Sequence, residues 1–576
     1  MKTIVSIIVI CLLFATNIFA AGTCNSSGKT GTSPYTAASL SRADVQGCLT
    51  NAERGSTVIL PSGIETWSEK VTYNKALIIQ GQGTSNTIIK NGQSKCSLSD
   101  CENFRCSTFM LEYTAPNEAG ATADLAYTHR ITGIRFDMQY QALGIKLRNT
   151  VTTFPLTNII IDNNSFVNCW DCDTASTLSS SPAIDLLGRF YGVIHSNSFY
   201  GFPILSISGA NGSTGLNAGV IHFNYADFNT VYGSSGFVFL EDNYFYSDGS
   251  RTYTGAEPFL IEQANGQNVI MRYNEFVSNR TNSPHAKPWS PHHPAGRVNV
   301  GGKGGEFYGN YIKNNAGNVS WIWATPRSGR NIIFNNRIYT SYGTMQWTMY
   351  NPTYYPPATT TTACGSGVYA PWIGKYYCDK AGQPQHIWEA YQWANKYGNT
   401  GTGVYSATTV SDGGRLTENK HYYNCPGCAS GQSTYVSGNF NGTSGVGCGT
   451  AATMNAIETC TNGVGFWVPN ATIDSSAASC SNINSWVGRN NLLAASVNGK
   501  IGTLYTCENN TWVEYYQPYT YPHPLRGSDG IKPSNVLSSV CSGEDCTTPL
   551  TCEGGSCTVV ITVTATDNVA VSGVKA

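Results

Sequence analysis

Ile159-Ile160-Ile161-Asp162-Asn163-Asn164-Ser165-Phe166 decides the architecture, because it returns as Gly192-Val193-Ile194-His195-Ser196-Asn197-Ser198-Phe199. Looser copies follow at Phe237-Val238-Phe239-Leu240-Glu241-Asp242-Asn243-Tyr244-Phe245 and Val269-Ile270-Met271-Arg272-Tyr273-Asn274-Glu275-Phe276. Two more run through Asn310-Tyr311-Ile312 and Asn336-Arg337-Ile338. Each is a β-rich run ending in Asn-x-Phe or Asn-x-Ile, and the anchor asparagines recur about once per supersecondary unit. An alternating strand buries one face, and Asn in the following bend tolerates left-handed backbone and bonds its own main chain. Parallel stacking of such units predicts one continuous core with inward asparagines laddering between coils, which is a parallel β-helix. Propeller blades need four strands per repeat and a more uniform period, and a jelly roll gives no reason to repeat Asn-x-Phe. The unequal spacing sends loops of different length from one flank, where solenoids carry their binding surfaces.

Outward from the repeats, Ala43-Asp44-Val45-Gln46-Gly47-Cys48-Leu49 reads as a short amphipathic helix capping the open end of the stack. Val58-Ile59-Leu60-Pro61-Ser62-Gly63, Leu77-Ile78-Ile79-Gln80-Gly81-Gln82-Gly83 and Thr87-Ile88-Ile89 read as the first strands. This order, followed by Asn-rich coils, resembles secreted right-handed parallel β-helix proteins of the pectin-lyase-like superfamily. The resemblance spans about residues 35 to 526 and implies an all-β fold, while the superfamily spans lyases, hydrolases, esterases, adhesins and tailspikes. The motifs of pectate lyases, polygalacturonases and alginate lyases are absent, so no family catalytic residue is carried over.

Composition agrees with that fold. Only 12% of the 576 residues are charged, against 60 Gly and 34 Tyr, which excludes a disordered chain or a helix bundle. Thirty-four basic residues balance 35 acidic ones for a net charge of −1, leaving no electrostatic footprint for nucleic acid. Residues 1–20, with Lys2, the apolar run Ile4 to Phe14 and small residues at Ala20-Ala21, read as a secretory signal peptide. No later stretch is long and apolar enough for a transmembrane segment, so the expected location is secreted or extracellular surface. Twenty cysteines fit an oxidising compartment. Short-range staples are expected at Cys364 with Cys378, Cys448 with Cys460, Cys480 with Cys507, Cys541 with Cys546 and Cys552 with Cys557. The CxxC pairs at Cys169 and Cys425 are read as loop disulfides before zinc or redox sites. The β-helix domain is expected over 21–527, followed by a Cys-, Ser- and Gly-rich linker over 528–558. Residues 559–576 resemble the start of a truncated immunoglobulin-like module.

Candidate chemistry concentrates in Asn279 to Arg297, a loop between coils that holds three of the nine His. In a uronan lyase Arg297 would neutralise the substrate carboxylate while Lys287 or His285 removes the α proton. Trp289, Trp321 and Trp323 form either a sugar-stacking platform or interior packing, and Lys303 and Arg327 on the following coils are candidate glycan contacts. Glu262, with Glu241, Asp242, Glu257 and Glu275, provides carboxylates on neighbouring coils. They suit glycosidase chemistry, calcium or a solvated surface. The functional expectation is an exported polysaccharide lyase or glycoside hydrolase acting on an extended glycan. The alternative is a non-catalytic glycan-binding or adhesion protein.

Overall fold

The computed structural model describes residues 21–93, 101–102, 105–106, 109–139, 143–149, 155–169, 183–201, 205–208, 232–247, 261–264, 268–279, 288–291, 304–315, 320–326, 329–339, 342–348, 387, 389–397, 404–405, 407–411, 416–425, 440–470 and 487–530. The signal segment, the linker beyond residue 530 and the immunoglobulin-like stretch lie outside them.

Each repeat folds as the alternation dictates, and successive strands deal themselves in turn to three long sheets. Sheet A takes Leu156–Asp162, Phe190–His195, Val238–Glu241, Asn268–Arg272, Gly304–Tyr308, Arg330–Phe334 and Ala390–Trp393. Sheet B takes Ser165–Cys169, Ser198–Gly201, Tyr244–Ser247, Glu275–Ser278, Tyr311–Asn314 and Arg337–Tyr339. Sheet C takes Leu143–Arg148, Ile184–Leu187, Leu205–Ser208, Ile261–Ala264, Trp289–Pro291 and Ser320–Ala324. Every pairing between these strands is parallel. The chain is thus a three-faced parallel solenoid, as the repeats predict.

Between Asp162 and Lys396 the corner from sheet A to sheet B is two residues in every coil. Its first residue has left-handed backbone, with φ of 53° at Asn163, 56° at Ser196, 55° at Asp242, 57° at Tyr273 and 51° at Asn335. Gly309 fills the same place at φ 64°, where a glycine pays no steric cost. The repeating Asn is the second residue, so it does not supply the left-handed bend that the sequence reading gave it. It bonds the neighbouring coils instead. Asn274 Nδ2 donates to Leu240 O (2.9 Å) and Asn310 Oδ1 (3.0 Å), and its amide donates to that same Oδ1 (3.0 Å). The pattern recurs through Asn164, Asn197, Asn243, Asn310, Asn336 and Asn395. Beside the ladder, Phe136, Phe166, Phe199, Phe245 and Phe276 stack face to face with centroids 4.6–5.3 Å apart. The x between Asn and Phe points outward, so one tripeptide specifies both ladders.

The expected cap is the helix Arg42–Asn51, with Ser41 at its N-cap and Val45, Cys48 and Leu49 buried. A Cys24–Cys48 disulfide pins it to the first strand, Ala21–Asn25. Inside the span expected as one β-helix domain, a second unit forms from Val446–Cys448, Gly465–Pro469, Gly502–Glu508 and Thr511–Tyr516. Its last three strands pair antiparallel. Cys460 bonds Cys507, which corrects the expected Cys448–Cys460 and Cys480–Cys507 staples. The antiparallel sheet brings the turn before Gly465 beside the end of the Gly502–Glu508 strand, and Gly463 N donates to Cys507 O at 2.9 Å. Cys425 and Cys448 are also disulfide-bonded.

Candidate functional site

The three outer faces of the coil have different fates. Sheet A is covered: Ile160, Val193, Phe239, Ile270, Tyr308, Ile332, Phe334 and Trp393 share one buried cluster with Trp467, Leu504, Tyr516 and Tyr521 of the second unit. Residues 516–526 then run across the sheet and close a charge network. Arg272 pairs with Glu241 and donates to Tyr519 O (2.5 Å), Thr520 O (2.7 Å) and Tyr308 Oη (2.9 Å). Arg526 Nη1 donates to Asp242 Oδ2 (2.5 Å) and Glu241 Oε2 (3.1 Å), and Tyr521 Oη donates to Asp242 (2.9 Å). Glu306 accepts from Tyr516 Oη (2.7 Å) and Gly233 N (3.1 Å). Burial pushes the Glu306 carboxyl up to about 7 and holds the His523 imidazole down at about 4. Glu241, by contrast, is drawn below the ordinary carboxylate range by Arg272 and Arg526 against the cost of its burial. Glu241 and Asp242 therefore belong to structure, sealed from any extended ligand.

Sheet C is bordered differently. Its strands connect to their neighbours through spans as long as 170–183, 209–237, 248–260, 292–303 and 349–389, whereas the sheet A to sheet B corner is two residues in every coil between Asp162 and Lys396. Length variation thus falls on both borders of sheet C, the arrangement by which solenoids elaborate a binding face. One register row runs along that face: Glu112, Lys146, Asp185, Ser206, Glu262 and Ser290 succeed one another on adjacent strands. Their strand neighbours Leu111, Ile145, Ile184 and Trp289 lie in the core. Lys70 Nζ donates to Glu112 Oε2 at 2.6 Å, and Lys146 Nζ sits 4.3 Å from the Phe109 centroid. Asp185 is fully buried.

The sequence-predicted residues distribute as follows. Trp289 is in register with Ile261 and Ala324, is fully buried, and stacks on Phe307 at 5.5 Å. It fills the coil interior, and the sugar platform loses that member, because its register line runs back through Ile261 and Leu205 to the core residue Ile184. Trp321 and Trp323 lie on Ser320–Ala324, where a register irregularity between Ile322 and Ala324 interrupts simple alternation. Glu262 holds its place in the sheet C row. His285, Lys287, Arg297, Lys303 and Arg327 lie outside the described residues. The carboxylates expected together are parted: Glu241 and Asp242 at sheet A, Glu275 on sheet B, and Glu262 on sheet C. Two features escaped the sequence reading. Asp185 in Ile184-Asp185-Leu186-Leu187 is a carboxylate in an otherwise apolar strand, and Tyr244-Phe245-Tyr246 alternates tyrosine around a core phenylalanine; both signals were present.

No group of three or more His, Cys, Asp or Glu is gathered as a metal site among the described residues. No helix among them is long and apolar enough to cross a membrane. Comparison with family models, curated proteins and solved structures finds no match to this chain.

Proposed function

We propose that the protein is an exported carbohydrate-active protein of the right-handed β-helix, pectin-lyase-like type. In this reading an extended glycan lies along the outer face of sheet C and is hydrolysed there. One observation supports it: the long connections of the coil border sheet C on both sides, around the register row that holds Glu262. One carboxyl, Glu262 in this reading, donates its proton to the glycosidic oxygen as the bond to the ring carbon breaks. The other, as carboxylate, takes a proton from the water that forms the new bond on the opposite ring face.

The test is reducing-end release from a panel of polysaccharides, with the product anomer read by NMR. Glu262→Gln should lower kcat by about 10²–10⁴-fold with KM little changed. An unsaturated product would replace hydrolysis by elimination and return the role to His285, Lys287 and Arg297. Binding without cleavage would make the protein a glycan-binding or adhesion protein.

A further inference from the structure

Sheet B presents a face that the hydrolytic reading does not use. Two outward rows run along it: Tyr244, Glu275, Tyr311, Arg337, Lys396, and beside it Tyr200, Tyr246, Val277, Lys313, Tyr339. Tyr200 is 38% exposed, and Tyr244, Tyr246, Tyr311 and Tyr339 are half-buried. The rings gather in two clusters: Tyr200 lies 6.0 Å from Tyr246, and Tyr311 lies 5.0 Å from Tyr339, with the rung of Glu275 and Val277 between them. From the Tyr200 strand to the Tyr339 strand is four rungs, about 19 Å. Such a strip offers stacking area with little side-chain entropy to lose on binding, and hydroxyls to bond.

Charge on this strip is one-sided at one end. Glu275 is matched by Arg489, whose Nε donates to Oε2 at 3.0 Å. Beyond Glu275 the two rows hold Lys313, Arg337 and Lys396 and no carboxylate among the described residues. Arg337 and Lys396 are direct register partners, a like-charge placement that costs stability. Arg337 is 4% exposed and lies 5.0 Å from the Tyr339 centroid, yet its buried Nη2 has no hydrogen-bond partner. A buried guanidinium nitrogen without an acceptor is costly, and the fork of Arg337 fits an acid group in two-point contact.

We infer that the outer face of sheet B is a second glycan-binding surface, specific for an acidic polysaccharide whose rings lie on the tyrosines and whose carboxylate or sulfate meets Arg337 and Lys313. This surface is separate from the sheet C row, so it stands or falls apart from the hydrolytic reading.

The full chain carrying Glu262→Gln is titrated calorimetrically with three probes: a short oligogalacturonate, a heparin-derived oligosaccharide and a neutral cello-oligosaccharide. The expected result is binding of at least one acidic probe ten-fold or more tighter than the neutral one, weakened by added salt. Which acidic probe wins tells carboxylate from sulfate. Lys313→Gln and Tyr339→Ala, both at half-buried surface positions, should each weaken that binding at least five-fold while Tm stays unchanged. Arg337→Lys should weaken it further, by loss of the two-point contact. Equal affinity for acidic and neutral probes overturns the proposal, as does binding that Lys313→Gln and Tyr339→Ala leave intact, or no binding at all. Loss of hydrolysis in Glu262→Gln with sheet B binding retained separates this surface from the proposed catalytic row.

Discussion

Sheets A and B are built from the same rungs, joined by the same two-residue corners, yet one face is sealed and the other is open. Sheet A turns Phe239, Ile270, Ile332, Phe334 and Trp393 outward and is covered by the second unit. Sheet B turns tyrosines and cations outward; its tyrosines and Lys313 are half-buried or exposed, while Arg337 and Lys396 are buried. The coil fixes backbone positions equally for both, so the outward residue of each rung alone decides what docks there. The sealed face also accepts buried charges that an open face would leave to water. Such charges are tolerable only when every partner is present.

The largest effect should come from breaking that condition. Arg526→Met leaves Glu241 and Asp242 short of a buried guanidinium, and urea unfolding should report a loss of about 3–5 kcal/mol. Hydrogen exchange should rise first in residues 515–526, and undisturbed protection there would detach the strap from the network.

Next is the pH dependence of the same face. With the Glu306 carboxyl at about 7 folded and 4.5 unfolded, the folded state holds the proton that the unfolded state has released. Its contribution is complete below pH 4.5 and falls as pH rises to 7, by about 3 kcal/mol at most. Glu306→Gln should remove that decline, seen as a wild-type-minus-variant difference across this window. His523 acts with the opposite sign, since its folded value near 4 lies below the ordinary 6.5. Its neutral form stabilises above pH 6.5, and that stabilisation is lost as pH falls to 4. The His523→Gln variant should therefore be less acid-sensitive than the wild type, and an unchanged pH profile would contradict the burial of both groups.

The shared corner comes third. Asn274→Ala deletes the five hydrogen bonds of its side chain and strands Leu240 O inside, so a loss of about 2–3 kcal/mol is expected, measured by the urea midpoint. The smallest effect belongs to the open face, where Tyr246→Ala should move stability by under about 1 kcal/mol. A larger loss would mean that sheet B, too, is packed against part of the chain.

Much of this was legible because Asn-x-Phe is a local signal. In Asn164-Ser165-Phe166 the first side chain meets the next coil, the second faces out and the third enters the core. The Ser41-capped helix was local in the same sense. What could not be read depended on pairing across distance. Trp289 takes its side from register with Ile261, and Cys460 meets Cys507 only because of antiparallel pairing. Glu241 and Asp242 look like a surface pair until residues 516–526 return across them, some 280 positions later. Asp185 and Glu262 become neighbours only once Ser206 is known to lie between them.

The corner built on Asn164, Asn197, Asn243, Asn274, Asn310, Asn336 and Asn395 also restricts how this lineage of coils can change. One extra residue there would throw the following strand out of phase and cut the amide chain toward both ends of the stack. Novelty is admitted only at the other two edges, so the molecule works as a hinge-free binding of pages: stitched along one margin, and free to be rewritten at the others.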